Sequence, residues 1–168
     1  MATLGVMRIG AILTVVTLLA VSANAQLSQP KADCETLMNS VLPFAERMLK
    51  EYGEFFPFGG AMRPSGEIVS VGGKTDQERP PSAEVIKLLR DGFATAARKG
   101  EYKATAIVYD VRVVLPDTGM KSDAVAIALD HRDNYSVVVM IPYTLQNRNV
   151  RFGSMFAQKG DDKVFPRK

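Results

Sequence analysis

Residues 124–131 read Ala-Val-Ala-Ile-Ala-Leu-Asp-His. In an extended strand successive side chains point to opposite faces. Val125, Ile127, Leu129 and His131 therefore share one face, and Ala124, Ala126, Ala128 and Asp130 share the other. Until the last two residues both faces are apolar, whereas a sheet with one face in water alternates apolar with polar positions. Something must cover each face: helices on opposite sides, or one helix and a second chain. Small side chains let a helix approach closely, so the alanine face is expected under a helix and the Val125, Ile127 and Leu129 face under another element. This strand decides for a layered α+β domain.

Outward from it the pattern repeats. Residues 102–115 and 135–143 read as strands on either side, joined through the turn residues Pro116-Asp117-Thr118-Gly119 and Arg132-Asp133-Asn134, which makes an antiparallel meander. A shorter piece over residues 150–156 adds an edge strand. Before the meander, Ser82 caps a helix whose Val85, Ile86, Leu89, Phe93, Ala96 and Ala97 form one stripe and which Gly100 ends. Residues 55–63 and 67–71 flank Pro64-Ser65-Gly66 and read as a hairpin. Gly59 and Gly60 in its first strand mark a bulge or a close backbone approach.

A first helix precedes the hairpin. Asp33 is expected as its N-cap, Leu37, Met38, Val41, Ala45, Met48 and Leu49 recur at helical spacing, and Gly53 stops it. Pro43 is expected to kink it or mark a restart near Ser40. The domain thus runs over residues 33–158, with a polar, flexible leader over residues 26–32 and a charged, frayed tail over residues 159–168.

The first 25 residues have the layout of an export signal: Arg8, an apolar run over residues 9–21, then Ala23-Asn24-Ala25 as a cleavage site before Gln26. An apolar run of that length rises about 20 Å as a helix, short of a hydrocarbon core of roughly 30 Å, so cleavage rather than anchoring is expected, with no transmembrane segment left afterwards. Removing the segment leaves 143 residues carrying 20 Lys and Arg against 18 Asp and Glu, a net charge of +2. That balance speaks against a nucleic-acid binder, which clusters its basic residues. One Cys, Cys34, cannot close an internal disulfide, so the hydrophobic core alone holds this exported, periplasmic or secreted domain.

Three segments, Phe55-Phe56-Pro57-Phe58-Gly59, Tyr109-Asp110-Val111-Arg112-Val113 and Asp130-His131-Arg132-Asp133, resemble segments of small uncharacterised exported bacterial proteins, a group with no function attached. The order helix, hairpin, helix, three-stranded meander resembles that of profilin-like and roadblock-like folds, which implies a five-stranded antiparallel sheet between helices.

The chemistry on offer is sparse. Gly73-Lys74-Thr75 lacks the glycine five places earlier, where Ile68 stands, and Pro80 and Pro81 interrupt the helix that a phosphate loop needs. His131 is the only histidine. Asp130 beside it points to the opposite face and cannot orient it, so His131 is expected as a surface residue at a hairpin end. Cys34 is expected as a small buried hydrophobe rather than a reactive thiol. Asp110 and Arg112 share a face two residues apart, and pairing brings them towards Lys121, Ser122 and Asp123, the best polar cluster the sequence offers. Tyr52, Phe55, Phe56 and Phe58 are the densest aromatic group. If exposed, they are suited to anchor a partner.

The expectation is a non-enzymatic exported interaction module without cofactor or metal, binding a protein or small ligand of the cell envelope or a second copy of itself. Its candidate contact residues are Asp110, Arg112, Asp130, His131, Phe55 and Phe56. The alternative is a small hydrolase or thiol-dependent enzyme using Cys34 or His131.

Overall fold

The computed structural model describes residues 29–161 and 164–165. The signal segment, and the start of the leader, lie outside these residues. Helix α1 spans Gln29–Tyr52, strands β1 and β2 span Phe58–Met62 and Ile68–Gly72, and helix α2 spans Ser82–Arg98. Five strands follow: β3 (Ala104–Val114), β4 (Lys121–His131), β5 (Tyr135–Gln146), β6 (Asn149–Phe152) and β7 (Phe156–Lys159). They form one antiparallel sheet in the order β2-β1-β3-β4-β5-β6, with β7 also paired to β5. The chain is an α+β fold with two described helices and an open, seven-stranded sheet. Neither helix is long and apolar enough to cross a membrane.

The two helices lie over opposite faces. Cys34, Leu37, Val41, Ala45 and Leu49 of α1 join Val108, Val125, Ile127, Leu129 and Ile141 in one core. Val85, Leu89 and Phe93 of α2 join Ala61, Ile107, Val164 and Phe165 in the other. The double coverage of β4 is thus found, but with the roles of its faces changed. The large residues Val125, Ile127 and Leu129 lie beneath α1. The alanine face is on the α2 side, yet α2 packs on β1 and β3, and Ala128, partly buried, packs against the cluster that holds Ile107, Val164 and Phe165. Close helix approach falls instead on Gly59 and Gly60. A Cβ on Gly59 would lie 2.6 Å from the Phe93 ring and one on Gly60 2.6 Å from Val41, far inside van der Waals contact. The register of β1 is unbroken, so these glycines serve close approach and not a bulge.

Other boundaries shift for local reasons. Helix α1 is already formed at Gln29, so residues 29–32 are helical and Asp33 is a buried interior residue, not a cap. It runs on through Pro43, whose ring is exposed. Gly53 ends it at φ 78°, donating its N–H to the Leu49 carbonyl at 3.0 Å. Ser82 is the first residue of α2, after Pro81, and makes no side-chain cap bond. The expected tail begins on the last residue of β7, Lys159, and beyond it Val164 and Phe165 are buried rather than frayed.

Candidate functional site

His131 is 3% exposed, not a surface residue. It ends β4 on the α1 face, and the helix brings Asp33 over it. The Asp133 N–H donates to Nδ1 at 3.0 Å, which makes Nδ1 an acceptor and leaves the proton on Nε2. Nε2 then donates to Asp33 Oδ2 at 3.3 Å, joining residues 98 apart in sequence. Lys103 Nζ lies 2.9 Å from the same oxygen, and Gln29 Nε2 donates to Oδ1 at 3.0 Å. Burial alone would raise the Asp33 pKa. Bonds from Lys103 and Gln29, the Lys103 charge and the His131 bond outweigh it and hold the carboxyl below its ordinary value. Burial pushes the His131 imidazole down, against the upward pull of Asp33 and Asp133, so the ring is neutral at pH 7. The arrangement is a closed latch tying the start of α1 to the entry of β3 and the exit of β4. With both ring nitrogens engaged, His131 has no free nitrogen with which to take a proton from a substrate.

Asp130 points the other way, as the alternation of β4 requires. Its Oδ2 accepts the Val164 N–H at 2.9 Å, fixing the segment that places Val164 and Phe165 in the α2-side core. The Asp130–His131 pair therefore divides into two tethers on opposite faces and forms no single site.

Cys34 is 1% exposed. Burial, followed by the charges of Asp130, Asp33 and Glu35, pushes its thiol up to about 12, the opposite of an activated nucleophile. No hydrogen bond joins it to His131. Among the described residues no three His, Cys, Asp or Glu side chains are placed to hold a metal ion.

At the far end of the α1-covered face, the expected polar cluster assembles in part. Arg112 and Asp123 are cross-strand partners, with Nε 3.8 Å from Oδ1 in an exposed pair. Asp110 accepts the Tyr143 hydroxyl at 3.1 Å, a partner supplied by β5 that two-residue spacing within β3 does not reveal. Burial and the Asp123 charge raise the Asp110 carboxyl, although the Tyr143 and Val111 bonds pull the other way. Burial and the Asp110 charge push the Tyr143 hydroxyl up.

The aromatic group splits. Phe55 and Phe58 are partly buried against the α1-side core, where Phe58 meets Phe55 and Phe44 edge-on at centroid distances of 6.0 and 4.7 Å. Phe56 is 48% exposed, Tyr52 71% and Phe44 40%. The Arg47 guanidinium sits 5.1 Å from the Phe44 centroid, a cation–π distance. Phe44, on the helix, is the member that composition around the hairpin missed. Its spacing from Met48 and Tyr52 was the available signal. Neither a family model, a curated protein nor a solved structure matches the chain.

Proposed function

We propose that the protein is an exported, non-enzymatic interaction module that engages a protein partner through the aromatic surface where α1 meets β1. The observation that carries this reading is the exposure of Phe44, Tyr52 and Phe56, with Phe44 held edge-on against Phe58, which is itself packed on the core. Aromatic anchors on a rigid support lose little conformational freedom on binding and dominate many interfaces. Arg47, stacked on Phe44, adds a cation to the same surface. The export signal over residues 1–25 and the balanced net charge of the remaining chain support a partner in the envelope or outside the cell rather than a nucleic acid. The element order, which we read as profilin-like or roadblock-like, names no ligand.

The test is affinity capture from the envelope fraction of the source cells, using the purified protein and a Tyr52→Ala/Phe56→Ala variant side by side. A partner held by the parent and lost at least tenfold by the variant, with both melting alike, is the expected result. Equal retention by both proteins would move recognition elsewhere, and the Asp110, Arg112 and Asp123 cluster is the next surface to alter.

A further inference from the structure

The sheet has two edges of different character. On the β5 side the edge is divided between β6 and β7, each of four residues, and carries Arg151 and Lys159. Short, charged edge strands resist pairing with another chain. The β2 edge, five residues long, lacks the charges. Ile68-Val69-Ser70-Val71-Gly72 contains no charge and no proline, and β2 ends the strand order.

Its free hydrogen-bonding groups can be assigned. The Arg63 N–H donates to the Glu67 carbonyl at 2.8 Å, so Arg63 and Glu67 form a hydrogen-bonded pair. Bonded pairs alternate along an antiparallel ladder, and the register then makes Ala61–Val69 and Gly59–Val71 the next bonded pairs. The N–H and C=O groups of Ile68, Ser70 and Gly72 consequently point away from β1.

From this we infer that β2 pairs antiparallel with β2 of a second copy of the chain, about a two-fold axis at Ser70. In that register Ser70 faces its own copy, and Ile68 faces Gly72 of the other copy, so every outward group meets a complementary one. On the α1 side Ile68 needs space opposite. Gly72 provides it, since a Cβ there would touch nothing within 4 Å. On the α2 side Val69 lies beside Val71 of the other copy, a favourable β-branched pair. Charges also match, because Glu67 falls opposite Gly73 and next to Lys74 of the other copy. Lys74 makes no ion pair among the described residues, and Glu67, 63% exposed, is ion-paired with Arg63 at 3.2 Å, a pair that Lys74 of the other copy would extend. An isologous contact uses the same patch twice, and this strand is self-complementary in backbone, side-chain volume and charge. The inference does not rest on the aromatic surface, and either can fail alone.

Sedimentation of the purified protein over a concentration series tests it, together with three variants of Ser70, an exposed residue. The parent is expected to dimerise. Ser70→Pro removes an outward amide and none of the β1 ladder, and Ser70→Lys sets two ammonium groups against each other across the axis. Each should weaken dimerisation at least tenfold while circular dichroism shows the parent fold. Should the proline variant fail to fold, the lysine variant carries the test. Ser70→Cys should form a disulfide-linked dimer on mild oxidation, because bonded antiparallel partners lie about 5.5 Å apart at Cα. The parent, whose only thiol is buried, should not. A monomer at every concentration, a dimer unaffected by Ser70→Lys, or an edge that binds a different polypeptide and not its own copy would overturn the proposal.

Discussion

Asp33 and Asp110 are carboxylates at opposite ends of the sheet face that α1 covers, and the fold treats their charges in opposite senses. Asp33 is buried, yet its carboxyl is held below the ordinary value. Asp110 keeps one side towards solvent, yet its carboxyl is raised. Burial works against the anion in both. What separates them is the company each keeps: Lys103, Gln29 and His131 all donate to Asp33, whereas Asp110 has a neutral hydroxyl and a second carboxylate, Asp123, nearby. Partners, and not depth, decide whether a charge stabilises this fold. No described buried side-chain nitrogen or oxygen lacks a hydrogen-bond partner, so removing a latch member leaves its neighbours unpaired.

The comparison breaks most readily at Asp33. In Asp33→Asn an amide group replaces one carboxylate oxygen, and Lys103 loses its counter-charge while remaining largely covered, with its side chain 16% exposed. Breaking a buried pair from one side costs about 3 kcal/mol. Chemical denaturation of the variant should show that loss with an unchanged denaturant slope. A change below about 0.5 kcal/mol would mean that Lys103 swings out to water and the latch holds nothing.

The next effect is a pH dependence. The His131 pKa is lower in the folded chain than in the unfolded one, where it is near 6.5. Between those two values the unfolded state binds more protons, so the contribution of neutral His131 is complete above the unfolded pKa and is lost as the pH falls through the folded one. Asp33 works in the same direction but only below its own unfolded value near 3.8. Melting temperature should therefore decline from pH 7.5 to 5.5 in the parent. In His131→Gln, which retains a donor for Asp33, it should stay flat over that interval. An equal decline in both proteins would assign the titration to another group.

Local patterning in the sequence reaches the meander, both helices and the hairpin, because each rests on periodicity and turn chemistry within a few residues. It also divides Asp130 from His131 correctly and brings Asp110 and Arg112 towards Lys121, Ser122 and Asp123, while the pairing of Arg112 with Asp123 itself comes from the register of the folded sheet. It cannot reach the latch, whose partners stand 98 residues apart and whose Lys103 lies just outside a strand. The available clue was that Asp33 extends the buried row Leu37, Val41, Ala45 and Leu49 by one more turn. An acid in line with a core stripe needs donors from elsewhere in the fold. Reading it as a cap, from its place before an apolar run, hid that need. His131 escapes local patterning for the same reason: at the end of a strand it has the look of a surface residue, and only α1 folding across it closes it in.

Asp110→Asn should give the smallest effect and the sharpest contrast, because it is the same substitution that is expected to break the latch at Asp33. The raised carboxyl means that the folded state disfavours the Asp110 anion, so at neutral pH the charge costs stability, and the cost disappears as the pH falls and the group protonates. Asparagine removes that charge and the repulsion from Asp123, while its side-chain oxygen can still accept from Tyr143. Since Asp110 is open to solvent on one side, screening keeps the gain small. The variant should match the parent or exceed it by no more than about 0.5 kcal/mol at pH 7, and the difference should vanish towards pH 4. Tyr143→Phe in the parent background should then leave Asp110 less well satisfied and lower stability by about 1 kcal/mol, but have less effect in the Asp110→Asn background, where no anion is left to stabilise. A loss above 1 kcal/mol on Asp110→Asn would show that the anion is held by a cation, with Arg112 and Lys121 the strand cations on its face, and that both ends of the α1-covered face are ion-pair latches.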